Sequence, residues 1–248
     1  MAINITLVVV ALVAVALILT QFVGSSKSTV ATDTTVTTAQ PSTTSQLTAP
    51  SSVPTEKSFV YGVGLCPAED GSSPVTKTFT QSPKLCIDPR KTFTALIETS
   101  KGSLTVTLDA RKAPGATNNF VVLARYHYFD GTTCHRIIPG FVVQCGDPTA
   151  TGTGGPGYTI RDELPKSGDY QIGSLAMANS GPNTSGSQFF VVSGSKGVAL
   201  QPDFSLFGQV TGGLNDTLPA LDKAGNPNNN GVPPLETVTI KQITITEA

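Results

Sequence analysis

Asp130–Asp147 reads DGTTCHRIIPGFVVQCGD. Ile137 and Ile138 lead into Pro139-Gly140, and Phe141, Val142 and Val143 lead out. A Pro-Gly pair between two apolar runs marks a turn joining antiparallel strands. Two registers are open. A two-residue turn sets Cys134 opposite Cys145 and Arg136 opposite Val143. One extra bulged residue sets Arg136 opposite Gln144 and leaves the cysteines diagonal. Either way, a strongly solvated arginine embedded in an apolar hairpin points to work at an apolar site. His135, its neighbour, points to the other face, because successive strand residues alternate sides; it reads as structural.

Working outward, Thr94–Leu108 (TALIETSKGSLTVTL) alternates apolar and polar residues on both sides of Lys101-Gly102, the pattern of a hairpin with one face in a core. Ala113-Pro114 then opens a helical pattern through Tyr126. Proline suits a first helical turn, and Phe120, Leu123 and Ala124 share a face. Downstream, Tyr158–Leu164, Gly173–Ala178, Phe189–Val192 and Phe207–Val210 read as strand material. Leu214–Lys223 reads as a helix, an Asn/Pro/Gly loop runs to Gly231, and Val238, Ile240, Ile243 and Ile245 make a last strand. Many short strands and two modest helices predict a mainly β fold: a closed antiparallel β-barrel capped by two helices.

The first 26 residues carry no charged side chain, and Ile3 to Val23 are almost wholly apolar. A helix of about 20 residues spans a ~30 Å hydrocarbon core. Residues 1–24 are therefore expected to be a single N-terminal transmembrane anchor, with an uncleaved signal as the alternative; no basic n-region or clean A-x-A site favours cleavage. Residues 25–58 are about half Ser and Thr and cannot bury enough surface to offset ordering, so a disordered linker is expected, with a span of roughly 30 Å. Residues 59–91 form an extension in which Cys66 and Cys86 bracket a polar loop; closing it would contribute about 3 kcal/mol in the chain-entropy model. Cys134 and Cys145 pair across the hairpin or stand as two buried thiols. Lys27 alone would keep the following segment inside. Four cysteines favour the opposite orientation, with a globular domain over 92–248 outside the membrane.

Composition excludes several classes. Sixteen basic against seventeen acidic residues give a formal charge of −1 and no electrostatic footprint for nucleic acid. Two histidines in unrelated contexts, without H-E-x-x-H or Cys-x-x-Cys, argue against a metal site. No G-x-S-x-G elbow supports a serine hydrolase. Gly152-Thr-Gly-Gly-Pro-Gly157 lacks the lysine and spacing of a phosphate-binding loop and reads as a tight surface loop.

Two blocks carry a resemblance. CHRIIPGFVVQCGDP (134–148) and LAMANSGPNTSGSQFF (175–190) resemble the signature blocks of the cyclophilin peptidyl-prolyl isomerases, over roughly Thr92–Ile245. The arrangement with an N-terminal anchor is similar to membrane-anchored bacterial cyclophilins. The resemblance implies prolyl isomerisation of exported proteins, with no cofactor and no metal, and with Arg136 hydrogen-bonding the prolyl nitrogen. It implies a proline pocket of Phe141, Val142, Phe190 and Leu200, with Phe204 as an aromatic lid. Gln144, Asn179, Ser180 and Gln188 would hold the substrate backbone and line the groove, and the glycine-rich loop would border it. Ala199 stands where many relatives carry tryptophan, and Phe204 where many carry histidine, so weak cyclosporin binding is expected. A monomer is expected. The competing readings are a proline-segment-binding chaperone or scaffold without turnover, and a cell-wall or adhesion domain.

Overall fold

The computed structural model describes residues 59–248. The expected anchor at 1–24 and linker at 25–58 lie outside them, and among the described residues no helix is long and apolar enough to cross a membrane.

Among the described residues eight strands form one antiparallel sheet: β1 Phe93–Thr99, β2 Gly102–Leu108, β3 Arg136–Ile138, β4 Val142–Cys145, β5 Ser174–Met177, β6 Phe189–Val192, β7 Leu206–Gly212 and β8 Ile240–Glu247. Their order is β3-β4-β6-β5-β7-β2-β1-β8. The alternation around Lys101-Gly102 becomes the β1–β2 hairpin, with Phe93, Ala95 and Ile97 facing inward against Leu104, Val106 and Leu108.

The sheet corrects the expectation of full closure. β3 and β8 are the two ends of the ladder, and only an isolated bridge, Thr133 to Thr239, spans the seam. Three backbone hydrogen bonds support it, from Gly131 to Ile240, Cys134 to Val238 and Ile240 to Thr132. The reason lies in β3, which is only three residues long. The Asn/Pro/Gly loop covers the rest: Asn226 N–H donates to the Ile137 carbonyl, and the 3-10 turn Asn229–Gly231 packs beside it.

Among the described residues three α-helices occur where two were expected. α1 Pro114–Arg125 has proline in its first turn, and Glu163 receives hydrogen bonds from Gly115 and Ala116 N–H at 3.0 and 2.8 Å, satisfying two of the helix's orphan donors. α2 Ser195–Val198 is a single turn without an apolar stripe, which is why periodicity did not reveal it. α3 Thr217–Lys223 starts at Asp216, whose carboxylate accepts from Thr217 N–H. Tyr158–Leu164 is not a strand: only Ile160 pairs, with Ser185.

Two apolar clusters lie on opposite sides of the same strands. Phe120 of α1, Phe129, Phe189 and Phe207 fill the interior with Leu175, Met177, Val143 and Val191. Val142, Ala176, Phe190 and Val192, which alternate with them, form the second cluster outside.

The extension is closed on itself by one disulfide and held against this unit by side-chain hydrogen bonds. Cys66 and Cys86 are disulfide-bonded, as are Cys134 and Cys145. His127, at φ +54°, clasps the extension's Gly71: Nε2 lies 2.7 Å from the Gly71 carbonyl and Nδ1 2.9 Å from Asp130 Oδ2. Both partners are acceptors, so only the imidazolium satisfies both. The Gly71 carbonyl, then Asp130, raise the His127 pKa; burial and the Lys77 ammonium oppose them. A raised folded-state pKa contributes stability that is complete below the free value of ~6.5 and is lost as pH rises through the folded value. Thermal denaturation across pH 5.5 to 8.5 should therefore show a stability decline that is missing in His127→Asn, a residue that tolerates the same left-handed backbone.

Candidate functional site

The central hairpin adopts the bulged register. Arg136 faces Gln144, Ile137 faces Val143 and Ile138 faces Val142. The turn is Pro139-Gly140-Phe141, with Gly140 at φ +74° and Phe141 N–H donating to the Ile138 carbonyl. Left-handed φ at the middle position is where glycine is strain-free. One consequence is that Phe141 sits in the turn instead of the strand, with its ring centroid 5.8 Å from Arg136 Cζ. The cysteines end up diagonal, yet their Cα atoms are 3.9 Å apart and the disulfide closes the base of the hairpin.

Arg136 and Gln144 belong to a continuous polar chain. Arg136 Nε donates to the Asn230 carbonyl at 3.1 Å, Nη2 to Asn230 Oδ1 at 3.0 Å, and Nη1 to Gln144 Oε1 at 3.0 Å. Gln144 Nε2 donates to Gln188 Oε1 at 2.9 Å, and Gln188 Nε2 reaches the Gly152 and Gly154 carbonyls, each at 3.0 Å. A guanidinium has five N–H donors, so two stay unspent after its three bonds. Burial draws the Arg136 pKa below its usual value, but an arginine still carries its charge at neutral pH.

Beside this chain lies the outer apolar cluster. It unites Val142 and Phe190, both buried, with the partly exposed Phe141, Leu200 and Phe204. Phe204 meets Phe190 edge-on, with centroids 5.3 Å apart and planes at 87°. Leu200 follows α2 directly, and Ala199 caps that turn. The Phe204 segment is fixed by Tyr170, whose hydroxyl donates to the Phe204 carbonyl at 2.7 Å and accepts from its N–H at 3.1 Å. Burial pushes the Tyr170 pKa up to about 12, so the hydroxyl remains a donor.

Asn179 and Ser180 lie at the far rim. Asn179 Nδ2 donates to the Asp203 carbonyl at 2.8 Å, and Ser180 N–H donates to Thr184 Oγ1 at 2.8 Å. With Gln144, Gln188 and residues 152–159 they line a cleft of about 740 Å³. The 152–157 loop is held from beneath by Asp147, which is fully buried and accepts from Thr149, Gly152 and Gly154 N–H. His135, just before β3, is buried with its ring beside Gly152, and Nδ1 has no hydrogen-bond partner among the described residues. Among the described residues no group of three His, Cys, Asp or Glu side chains converges as a metal set would.

Sequence reasoning missed Asn230 and Tyr170. Asn230 sits in a polar Asn-Asn-Asn run that carries no sign of which member reaches the arginine; its left-handed φ of +53° is what aims it. Tyr170 precedes β5 in a stretch without periodicity.

The family model for cyclophilin type peptidyl-prolyl cis-trans isomerases matches residues 94–245. The chain is 37% identical over 177 residues to the probable peptidyl-prolyl cis-trans isomerase B of Mycobacterium tuberculosis, covering 64% of this chain and 56% of that one. It thus spans little more than half of that relative's length. It is 37% identical over 174 residues to peptidyl-prolyl cis-trans isomerase A of the same organism, covering 63% of this chain and 94% of that one. Among solved structures, a cyclophilin type isomerase of Cryptosporidium parvum superposes with a TM-score of 0.56 at 33% identity, over 62% of this chain and 98% of its own. A second structure of it, in the presence of the dipeptide Ala-Pro, gives 0.55 at 34%, with the same coverage. On the match of most of its described length, the chain belongs to the cyclophilin type peptidyl-prolyl cis-trans isomerase family.

Proposed function

We propose that this protein is a peptidyl-prolyl cis-trans isomerase acting on exported proteins, and that Arg136 is its catalytic residue. The observation that carries the reading is one arrangement: a held guanidinium with two unspent donors, at the rim of an apolar cluster able to take a proline ring. Rotating an Xaa–Pro bond meets a barrier of about 18–20 kcal/mol from C–N double-bond character. No nucleophile or proton transfer is required. A hydrogen bond from Arg136 to the prolyl nitrogen localises its lone pair and weakens that double bond. The bond strengthens as the nitrogen becomes pyramidal, so it favours the twisted state over the planar one. Phe141, Val142, Phe190 and Leu200 grip the ring beneath the Phe204 lid, while Gln144, Asn179, Ser180 and Gln188 hold the flanking backbone.

The same proposal places the catalytic domain, residues 92–248, outside a cell membrane. An N-terminal anchor at 1–24, a linker at 25–58 and the stapled extension at 59–91 precede it, and the chain acts as a monomer. Two disulfide-bonded pairs support an oxidising location. Ala199 offers no indole N–H, which supports weak cyclosporin binding.

The test is cis-to-trans relaxation of an Ala-Pro peptide, with acceleration proportional to protein concentration as the expected result. Binding of the peptide without any acceleration would leave a proline-segment-binding module instead. Asn230 is proposed to position Arg136. Asn230→Gly keeps the carbonyl and the left-handed backbone but deletes Oδ1, and should lower kcat/KM by about three- to tenfold, the loss of one charge-assisted hydrogen bond. Asn230→Asp, which retains an acceptor there, should recover most of it.

A further inference from the structure

Residues 59–91 precede the stretch that matches the family, yet they are fastened to it at several points. Thr76 N–H donates to the Tyr126 carbonyl at 2.9 Å. Lys77 Nζ reaches the His127 and Asp130 carbonyls at 3.1 and 2.9 Å, and the Tyr128 carbonyl between them. Asn118, buried in α1, accepts from Cys86 N–H at 2.7 Å and donates to the Lys84 carbonyl at 2.9 Å. An ammonium whose three protons all meet main-chain carbonyls is an anchor, not a solvated surface charge.

Between these anchors Phe79 supports the cleft beside the apolar cluster by two independent routes. The first is main chain. Phe79 N–H donates to the Pro156 carbonyl at 2.8 Å, and a Cβ on Gly157, which has φ +99°, would fall 2.3 Å from the Phe79 carbonyl oxygen. Glycine is needed there for both the backbone angle and the close approach. Pro156 and Gly157 are wall residues of the cleft.

The second route runs through the ring, whose centroid lies 6.3 Å from that of Tyr128 and 6.1 Å from that of Tyr158. The Tyr158 hydroxyl donates to Asn119 Oδ1 at 2.7 Å, and Asn119 Nδ2 donates to the Gly186 carbonyl at 2.8 Å. The Tyr128 hydroxyl is 3.0 Å from Ser187 Oγ, which donates to the Gly146 carbonyl at 2.7 Å. Gly186 and Ser187 line the same cleft. Phe79 thus sits under both its wall and its floor, while making no hydrogen bond to Arg136, Gln144 or Gln188.

We propose that the extension is a built-in buttress, with Phe79 as a specificity-determining positioning residue. It fixes the width of the cleft next to the proline pocket and so selects the side chains that can flank the substrate proline. This inference rests on the isomerase reading given above. Asp147 and Gln188 hold the wall at Gly152 and Gly154, whereas Phe79 holds its Pro156-Gly157 end, where glycine would otherwise have wide conformational freedom. A held wall discriminates by shape, and a released one accepts larger neighbours. The chemical step stays with Arg136, so the signature is a change in KM among substrates and not a uniform change in kcat.

The full chain would be compared with Phe79→Ala and Phe79→Leu on Ala-Ala-Pro-Ala and on peptides carrying Leu or Phe at each position around the proline. For Phe79→Ala the all-alanine peptide should stay within about twofold of wild type, whereas the ratio of bulky to small peptides should shift by about fivefold or more through KM. Phe79→Leu should restore most of the original ratio. An unchanged ratio, or an equal loss on every peptide, would overturn the proposal. Should Phe79→Ala not fold, Lys77→Met, which releases the anchor two residues away, is expected to shift the ratio in the same direction. Should the wild type accelerate none of the peptides, the isomerase reading fails, and the same ratio taken from peptide Kd values decides the buttress separately.

Discussion

Arg136→Ala should lower kcat/KM on an Xaa-Pro peptide by about a hundredfold, equivalent to about 2.7 kcal/mol of transition-state stabilisation. The size follows from what the side chain offers. Its hydrogen bonds to Gln144 and Asn230 leave two donors at the rim of an apolar cluster, where a charge-assisted hydrogen bond is stronger than in bulk water. Arg136→Lys should recover little, because an ammonium has no planar fork to span Gln144 and Asn230 while still reaching the substrate. Peptide affinity should fall much less than turnover in both variants, since the proposed apolar pocket is untouched. Relaxation kinetics and peptide titration on the same preparations check both statements. A full rate in folded Arg136→Ala would remove the arginine from the mechanism.

The second large effect is on stability. Phe120 is 1% exposed, and its ring lies 5.2 Å from that of Phe129 and 5.3 Å from those of Phe189 and Phe207. α1 and three separate chain segments meet at this one side chain. Truncating it leaves a cavity that rigid aromatic neighbours cannot collapse into, so Phe120→Ala should cost about 3–5 kcal/mol of unfolding free energy. Urea titration should show a lowered midpoint with an unchanged slope, the mark of lost stability without loss of two-state behaviour. Phe204→Ala, at the partly exposed lid, should cost about 1 kcal/mol or less. A loss at Phe120 no larger than that at Phe204 would mean that this aromatic junction is not where the fold is held.

Much of this architecture was legible from spacing. Alternation around Lys101-Gly102 placed β1 and β2, and the run Phe189–Val192 is β6 itself. Pro114 and the shared face of Phe120, Leu123 and Ala124 located α1. Failures have physical causes. Tyr158–Leu164 has strand-like residues but supplies Ile160 alone to a pair, because the main-chain N–H groups of Asp162 and Glu163 donate to side chains, Asn183 Oδ1 and Ser205 Oγ. Closure of the sheet depended on how far β3 could extend, and no local pattern records that its partner at the seam would be a polar loop. The sequence leaves the bulge that sets Arg136 against Gln144 open beside its rival, since Pro139-Gly140 suits a turn of two residues or of three. The residues of the polar chain were nameable one by one, but not Asn230, which reaches Arg136 from 94 positions away. Phe79 had no motif to announce it.

The placing of two apolar clusters on opposite sides of β4, β5 and β6 has an evolutionary corollary. Val143, Leu175, Met177, Phe189 and Val191 face one way, and Val142, Ala176, Phe190 and Val192 the other. Odd and even positions of three short strands therefore encode two separate texts, one for the interior of the molecule and one for the outer cluster proposed to grip the proline ring. Gaining or losing a single residue inside β6 would transpose them, turning Phe189 out and Phe190 in. Such a lineage can diversify its ligands by exchanging letters at alternate positions, but hardly by changing strand length, so novelty in recognition is channelled into the loops at the strand ends.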